Sequence, residues 1–357
     1  MGNCMCDDEP STRQRRNLNP SLQNVLDQYP NLELDDEQFD PYKVSNYQNN
    51  LFQVKSRSFT EKPNGMFPEN PTNTEPATSN QANKNFKMTD IYRDLIPPQT
   101  KQIMEKLGSF AYEKDNTSND PYVVEKGPVA LDNGAIYIGQ WKGNMRHGRG
   151  TQIWMDGSIF EGHWQGGMAN GKGRLIHADG DVYEGTWFND KAHGKGFYLH
   201  KDGASYSGDW VSDKQHGFGV EKWVDGATYE GSYYMGMKHG KGEFRWADGA
   251  RYIGDFCNNN LHWQGTYFWP DGREFTGQWK DNKMHGKGVF KWRDGRRYEG
   301  DYYEDKKHGY GLFYWPDGRR YKGEWRKGKQ HGRGLYLGSD GVEREGEWQN
   351  GKKMRWI

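Results

Sequence analysis

Histidine recurs at one position of a repeated pattern, and a row of imidazoles could bind a metal or transfer protons. If successive hairpins carry them, neighbouring rings lie about 10 Å apart, which is two strand spacings. Zinc ligands lie about 2 Å from the ion, so neighbours could not share one. We therefore expect a structural role in closing a loop and predict no metal site for these residues, which are His147, His193, His216, His239, His262, His285, His308 and His331.

A second candidate for chemistry runs from Gly166 to Lys172 and resembles the start of a phosphate-binding loop. Gly173 stands where such a loop carries Ser or Thr, and no helical pattern follows. The sequence also lacks the glycine loop, the catalytic loop and the Asp-Phe-Gly triplet of kinases. The residues therefore predict a protein that is not an enzyme and that needs no cofactor.

The amino terminus reads Met-Gly-Asn-Cys-Met-Cys and resembles the start of dually acylated proteins, with myristate on Gly2 and palmitate on Cys4 and Cys6. Cys6 stands where that motif prefers Ser or Thr. One acyl chain binds a membrane marginally, whereas two anchor a protein stably. We favour this lipoprotein interpretation over the alternative of an unmodified tail with free thiols.

No run of residues is long and apolar enough to span a bilayer. Three cysteines cannot form a disulfide framework, which favours an intracellular location.

Composition divides the 357 residues into two parts near residues 127–134. The formal charge is zero, but residues 1–133 sum to −6 and the remainder to +6. All 15 tryptophans follow residue 140, whereas 12 of the 14 prolines precede residue 134. A polar, proline-rich segment is therefore joined to an aromatic one, and only the second can build a packed structure.

The aromatic part repeats every 23 residues without insertion or deletion. Each unit begins Tyr-x-Gly-x-Trp, so in a strand these three side chains share one face, and the glycine leaves a slot for a ring. Asp-Gly closes each unit and is a strong signal for a two-residue hairpin turn. The sequence predicts an all-β fold, an elongated single-sheet ribbon of about ten hairpins, about 90–100 Å long. Its structural residues include Tyr183, Gly185, Trp187, Tyr206, Gly208, Trp210 and Trp279.

The unit Tyr-x-Gly-x-Trp followed by Gly-x-x-His-Gly-x-Gly closely resembles the MORN repeat (membrane occupation and recognition nexus), in ten copies over residues 134–357. The resemblance implies a hairpin array that works as a scaffold, as in junctophilin-like membrane tethers, spoke-head-like ciliary proteins and the non-catalytic extension of some phosphoinositide kinases. Two residues depart from the pattern. Asn170 replaces the histidine of the second unit, and Trp263 replaces the glycine that should follow the histidine of the sixth. The substitution by Trp263 puts the local turn in doubt.

Charge within the predicted ribbon is uneven. The eight positions after each Trp-column residue sum to +16 over ten units, and the rest of the ribbon sums to −10. One basic edge is expected, facing either anionic phospholipid or an acidic protein, although exposed loops favour lysine in any case. Nucleic-acid binding is not expected, because the rings are predicted to be buried. The edge residues are Lys142, Arg146, Arg149, Lys283, Lys287, Arg326, Lys327, Lys329, Arg333, Lys352 and Lys353.

Four segments are predicted: an acylated anchor (1–16), a mostly disordered linker (17–86), short helices (87–127) and the ribbon (128–357). Helices are expected at Ser21–Gln28, Thr89–Ile96 and Gln99–Leu107. The favoured function is a membrane-associated scaffold that links cortical or ciliary proteins to the cytoplasmic face of a plasma or ciliary membrane. Two alternatives stay open: an axonemal or cytoskeletal structural protein without a lipid anchor, and a regulatory module acting in trans on a phosphoinositide kinase. A homodimer paired through edge strands also stays open.

Overall fold

The computed structural model describes residues 96–112 and 120–357. The predicted anchor, the linker and the helix Ser21–Gln28 lie outside the described residues, as does nearly all of Thr89–Ile96. The predicted helix Gln99–Leu107 is confirmed as α1, Pro98–Leu107, and ends at Gly108.

All strands of the described chain join one antiparallel sheet, in which each strand pairs with its neighbours in sequence. The sheet is open, because β1 pairs only with β2, and β21 only with β20. The predicted all-β ribbon of hairpins is confirmed, but its first strand begins at Val123, five residues earlier than expected. The strands are β1 (Val123–Ala130), β2 (Ile136–Lys142), β3 (Met145–Ile153), β4 (Ile159–Gln165), β5 (Met168–Ile176), β6 (Val182–Phe188), β7 (Lys191–Leu199), β8 (Ser205–Val211), β9 (Lys214–Lys222), β10 (Thr228–Tyr234), β11 (Met237–Arg245), β12 (Arg251–Cys257), β13 (Asn260–Phe268), β14 (Glu274–Lys280), β15 (Lys283–Lys291), β16 (Arg297–Tyr303), β17 (Lys306–Tyr314), β18 (Arg320–Arg326), β19 (Lys329–Leu337), β20 (Glu343–Gln349) and β21 (Lys352–Trp356).

One face of the sheet, here called the ring face, is closed by a continuous row of edge-to-face aromatic contacts. The Tyr183 ring lies 4.9 Å from Trp187 of its own unit and 5.3 Å from Trp210 of the next, nearly perpendicular to both. The same alternation runs from Tyr137 to Trp348. Edge-to-face pairs contribute about 0.5–1.5 kcal/mol each beyond the burial of their area.

Two glycines beneath each ring make this packing sterically feasible. Gly185 and Gly196 face each other across β6 and β7. A Cβ on Gly185 would lie 2.5 Å from Gly196 Cα, and one on Gly196 would lie 2.3 Å from the Tyr183 hydroxyl. The predicted slot is therefore present, and the ring of the unit's own tyrosine fills it.

Most polar atoms of the buried rings bond to the backbone. The Tyr183 hydroxyl donates to the carbonyl of Thr186 at 3.1 Å, and Trp187 Nε1 donates to the carbonyl of Gly173 in the preceding unit at 3.1 Å. Burial raises the pKa of Tyr183 well above its usual range. These bonds fix each ring's tilt and join consecutive units through side chains as well as through strands.

The two edges of the sheet carry different turns. At the loop edge, between the Tyr strand and the following strand of each unit, turns have two residues. In every unit after the first, both have positive φ, as at Asn189 (49°) and Asp190 (62°). At the Asp-Gly edge five residues separate the strands, as in 154–158 between β3 and β4, and of these only the glycine of Asp-Gly is left-handed, as at Gly157 (φ 87°). Gly157 N–H donates to the carbonyl of Trp154 there. The prediction of two-residue Asp-Gly turns was therefore wrong, because only the glycine adopts positive φ.

The His-Gly dipeptide lies in a bulged strand instead of a loop. In the fifth unit the register shifts between Gly231 and Tyr233, and Gly240, after His239, has φ 78°. In the sixth unit Trp263 takes this place with φ 45°, so the bulge persists without glycine. The doubt about that turn is resolved in favour of the regular conformation.

The opposite face, here called the second face, is covered at its beginning by residues 96–112. Gln99 Nε2 donates to the carbonyl of Asp179 at 3.2 Å, and Arg174 donates to the carbonyl of Gly108 at 2.7 Å. The Tyr112 ring packs against His163, 5.6 Å between centroids. The segment therefore crosses several strands, from the β5–β6 turn back towards β3.

Truncating one ring of the buried row should destabilise the sheet strongly. Trp210 is 1 % exposed and contacts the Tyr183 and Tyr206 rings. Trp210→Ala, and likewise Trp279→Ala, should lower the free energy of unfolding by about 3–5 kcal/mol. Tyr234→Ala is the control, because Tyr234 is 55 % exposed, and it should change stability by less than about 1 kcal/mol. Equal melting of all variants in denaturant titrations would refute the packing argument.

Restoring glycine at the sixth bulge should stabilise the protein. A non-glycine residue in the left-handed region costs about 1–2 kcal/mol, and Trp263→Gly removes that cost while losing a ring contact with His262. We expect a net gain of about 1 kcal/mol in chemical denaturation. Gly240→Ala, where an added Cβ would find ordinary contact distances, should give a loss of similar size. A loss of stability in Trp263→Gly would show that the ring contact outweighs the backbone strain.

Candidate functional site

Of the eleven residues of the predicted basic edge, the structure places six at the loop edge. Six cations lie in or beside the two-residue turns of the loop edge, and all of them except the half-buried Lys283 are exposed. Lys142 pairs with Asp120 at 2.9 Å, and Lys283 approaches Glu304 at 3.8 Å, with nearly half of each lysine side chain exposed. Exposed pairs of this kind are weak, so the cations can exchange these partners for an external anion. The six are Lys142, Lys283, Arg326, Lys327, Lys329 and Lys352.

The structure places the other five residues of the predicted edge elsewhere. Arg149, Lys287 and Arg333 lie on the second face, where Lys287 pairs with Asp301 at 2.5 Å. The reason is strand alternation: eight positions after Trp extend beyond the turn into a strand, whose side chains point to both faces in turn.

Arg146 and Lys353 lie against aromatic rings instead of at the edge. The Arg146 guanidinium lies 4.4 Å from the Trp164 ring and donates to Gln152 and to the carbonyl of Gly167. Burial lowers the pKa of Arg146. Lys353, on β21, lies 4.0 Å from the Trp356 ring. Neither ammonium nor guanidinium group is therefore part of the loop edge.

Exposed aromatic residues lie on the same edge as the loop-edge cations, and the sequence analysis did not identify them. Phe188, Tyr234 and Tyr303 are each more than half exposed, at the position directly after the Trp column. Tyr234 lies between His216 and His239, with centroid distances of 5.4 and 5.9 Å. Comparing that position across the units would have found them, because the others there are mostly polar. The loop edge therefore combines cations with aromatic side chains.

The repeated histidines lie beside the bulges. His216 Nδ1 accepts from Met235 N–H, and His262 Nδ1 accepts from Asp281 N–H, both at 3.4 Å. Each bond links one unit to the loop of the next. Within residues 96–112 and 120–357, no three His, Cys, Asp or Glu side chains are grouped so that they could hold a metal ion.

One column of the ring face carries charge inside the aromatic packing. It contains Arg146, Lys238 and Lys307, and by the same spacing Lys353 on β21. The other units have an uncharged residue there, namely Ala169, Ala192, Gln215, Leu261, Met284 or Gln330. Glu221, 2 % exposed, balances Lys238 at 2.8 Å and accepts a hydrogen bond from the Tyr233 hydroxyl at 2.8 Å. Burial and this carboxylate raise the pKa of Tyr233. Aligning the units by their 23-residue period would have shown these substitutions.

Lys307 faces four rings at distances of 4.6 to 5.4 Å and forms no ion pair within the described chain. Burial, with a smaller contribution from the charge of Arg296, lowers the pKa of Lys307 to about 8. Rings attract the ammonium by about 0.5–2 kcal/mol, which offsets part of the burial cost. The rings are Trp292, Tyr298, Phe313 and Trp325.

Two further findings concern membranes. The residues proposed for acylation, Gly2, Cys4 and Cys6, lie outside the described residues. In the part of the chain that the structure describes, no helix has the length and apolar character needed to cross a bilayer.

Comparison with known proteins gives one family. The family profile described as MORN repeat matches ten segments between residues 137 and 354. No curated protein matches the sequence significantly.

Several solved structures show a limited likeness. The TCP domain of Drosophila melanogaster SAS-4, in complex with a proline-rich motif of Ana2, is 12% identical over 53% of this chain and 95% of that one, with a TM-score of 0.27. The wild-type TCP10 domain of Danio rerio CPAP is 11% identical over 64% and 98%, with a TM-score of 0.23. A streptogramin B lyase is 13% identical over 64% and 87%, with a TM-score of 0.14. At such low TM-scores these likenesses carry no information on function.

Replacing the buried lysine should stabilise the protein in a pH-dependent way. Because the pKa of Lys307 is about 8 when folded and about 10.5 when unfolded, the unfolded chain binds more protons between these values. Stability therefore rises with pH across that window, and the full penalty, roughly 3 kcal/mol before ring attraction, applies below pH 8. Lys307→Met, which copies Met284 from the same position of the preceding unit, should unfold at higher denaturant concentration at pH 7, with an advantage that shrinks by pH 10.

The measured quantity is the difference between wild type and Lys307→Met, because tyrosines common to both proteins also titrate near pH 10. Lys306→Met, which changes an exposed neighbour, controls for loss of charge. A difference that stays constant from pH 7 to pH 10 would contradict the assignment.

Proposed function

The chain belongs to the MORN repeat family, and on that premise we propose that it is a non-enzymatic scaffold that holds protein partners at a membrane. The observation that carries the proposal is the loop edge, where exposed cations and exposed aromatic side chains occur together. Near an anionic bilayer each lysine or arginine contributes about 1 kcal/mol. Aromatic side chains favour the headgroup region, where one end of the ring is apolar and the other is wet.

The ring face supports a scaffold role because it is occupied by its own packing. Tyrosine and tryptophan rings fill it from β2 to β20, so the two edges and the second face are left for ligands. Each unit contacts mainly its neighbours, as in other repeat proteins, which present extended binding surfaces. The comparisons indicate no catalytic family.

Dual acylation would supply the attachment that the loop edge alone does not. In this proposal residues 1–16 form the anchor with acyl chains on Gly2, Cys4 and Cys6, and residues 17–86 link it to the ribbon. The protein would lie at the cytoplasmic face of a plasma or ciliary membrane, or in the cell cortex, and bind cytoskeletal or ciliary proteins. Two acyl chains with a basic surface give stable binding, whereas one chain is readily reversible.

Membrane attachment is tested by fractionating cells that express wild type, Gly2→Ala or Cys4→Ser/Cys6→Ser. Wild type should sediment with membranes, and both variants should move largely to the supernatant, with palmitate labelling lost in the cysteine variant. Variants that partition like wild type would overturn the anchor and favour an axonemal or cytoskeletal protein without lipid attachment.

The loop edge is tested separately with the purified full chain and vesicles of phosphatidylcholine with or without phosphatidylserine, across a salt series. Arg326→Gln/Lys327→Gln/Lys329→Gln should weaken binding to the anionic vesicles. The matched control is Lys195→Gln/Lys241→Gln/Lys287→Gln, which removes the same charge from second-face ion pairs with Asp209, Asp255 and Asp301. Equal weakening by both triple variants would reduce the effect to net charge. Stimulation of an added phosphoinositide kinase without vesicle binding would favour the regulatory alternative.

A further inference from the structure

The second face already shows how this sheet holds a peptide. Over the first three units, residues 96–112 lie against it. Arg174, whose side chain is 3 % exposed, keeps Glu161 as its ion-pair partner at 2.7 Å while donating to the carbonyl of Gly108. Its guanidinium also lies 5.7 Å from the Phe110 ring. One arginine with one carboxylate therefore binds both a helix terminus and an aromatic side chain.

The chemistry beneath this segment changes along one row of the second face, next to the Asp-Gly edge. In the first three units the row is aliphatic, and Ile153, Ile159, Ile176 and Val182 are each at most 4 % exposed. From β11 to β18 no described segment covers it. There the neighbouring side chains in register are Arg245, Arg251, Phe268, Glu274, Lys291, Arg297, Tyr314 and Arg320.

Five of those eight residues are cations, two are aromatic and one is an acid. Lys291 pairs with Glu274 at 2.9 Å, and Arg297 with Glu299 at 2.7 Å, on side chains that are 29 to 55 % exposed. Such exposed pairs contribute little and can exchange partners. Arg297 also lies 5.7 Å from the Tyr314 ring. The row therefore has the same combination of arginine and aromatic ring that binds residues 96–112, but on a part of the second face that no described segment covers.

A cleft of about 570 Å³ opens at the start of this cationic row. It is lined by Arg245, Arg251, Thr228, Trp246 and Phe268, together with Ala250 and the turn glycines. Arg251 stacks on Phe268 at 4.5 Å.

The two guanidinium groups of the cleft share one carboxylate. Glu243 Oε1 lies 2.6 Å from Arg245 and 3.8 Å from Arg251. One positive charge is therefore left over beside an aromatic surface.

We propose that an acidic, amphipathic segment of a protein partner binds across the strands on the second face of β11–β18, with a carboxylate held between Arg245 and Arg251. The row spans seven strand spacings, roughly 34 Å, which matches a helix of about 22 residues. Its apolar side would lie towards Ile253, which is 41 % exposed. This inference deepens the scaffold role proposed above by giving its partner a chemical class.

The probe is a fluorescein-labelled peptide of 22 residues built from glutamate, leucine and phenylalanine, with apolar residues at i, i+3, i+4 and i+7. A permuted peptide of the same composition is its control. Fluorescence anisotropy with the full chain should give saturable binding, weaker for the permuted peptide. Arg245→Gln/Arg251→Gln should weaken binding by about tenfold or more, and Lys327→Gln/Lys329→Gln, with the same charge loss at the loop edge, by less than about twofold. The melting temperature of the arginine variant should equal that of wild type, because both side chains are at least one-third exposed.

Vesicles containing phosphatidylserine provide the second arm. The arginine variant should bind them like wild type, and the loop-edge variant more weakly. Each variant would then lose only one kind of binding, to the peptide or to the vesicles. A photo-crosslinker at the centre of the peptide should label Ile253 or Val289 and leave the loop edge unlabelled.

Three results would overturn the inference. The membrane proposal is tested separately, by the fractionation and vesicle experiments described above. The first is the absence of saturable binding to the amphipathic peptide. The second is equal weakening by both double variants, which would mean attraction by overall charge only. The third is loss of vesicle binding in the arginine variant, which would make the row a lipid surface.

Discussion

Nine of the ten units of this protein depend on placing an aromatic ring directly above two glycines that face each other across a strand pair. No side chain larger than hydrogen fits there, since a Cβ on Gly196 would lie 2.3 Å from the Tyr183 hydroxyl. The ring in turn contacts tryptophans of two units, so steric exclusion at one position sets the contact that joins neighbours. A single-layer sheet without a conventional core is stabilised in this way, because aromatic area buried within one face replaces burial between two layers.

Using one face for stability determines where ligands can bind. The remaining surfaces differ in chemistry along the chain: the loop edge combines cations with exposed rings, and the second face changes from aliphatic to cationic after the third unit. The change coincides with the end of the region occupied by residues 96–112. The backbone is nearly the same in every unit. The chemistry of each surface is therefore set by the positions at which the repeat varies. One such position carries Arg251 in the fifth unit and Ile159 and Val182 in the first two.

The period, the sheet and the buried ring row could be predicted from sequence, because strict spacing of Tyr, Gly and Trp leaves one register. The helix at residues 98–107 was also predictable from local signals. The site could be predicted only in part. Arg146 and Arg149 were assigned to an edge but lie on opposite faces, because residues three apart in a strand point to opposite sides of the sheet. The docking of residues 96–112 depends on contacts between residues far apart in sequence, such as Arg174 with Gly108, which no local pattern reveals.

The two ends of the sheet are not equivalent mechanically. The first hairpins are tied together by residues 96–112, which span several strands, whereas among the described strands β21 pairs only with β20, and its five residues are all exposed. A load pulling the described sheet apart along its length would therefore separate it hairpin by hairpin, beginning at β21. Because each unit is hydrogen-bonded mainly to its neighbours, the sheet would lengthen in small steps under tension. The separated hairpins could pair again when the tension is released. Such behaviour suits a connection between structures that move.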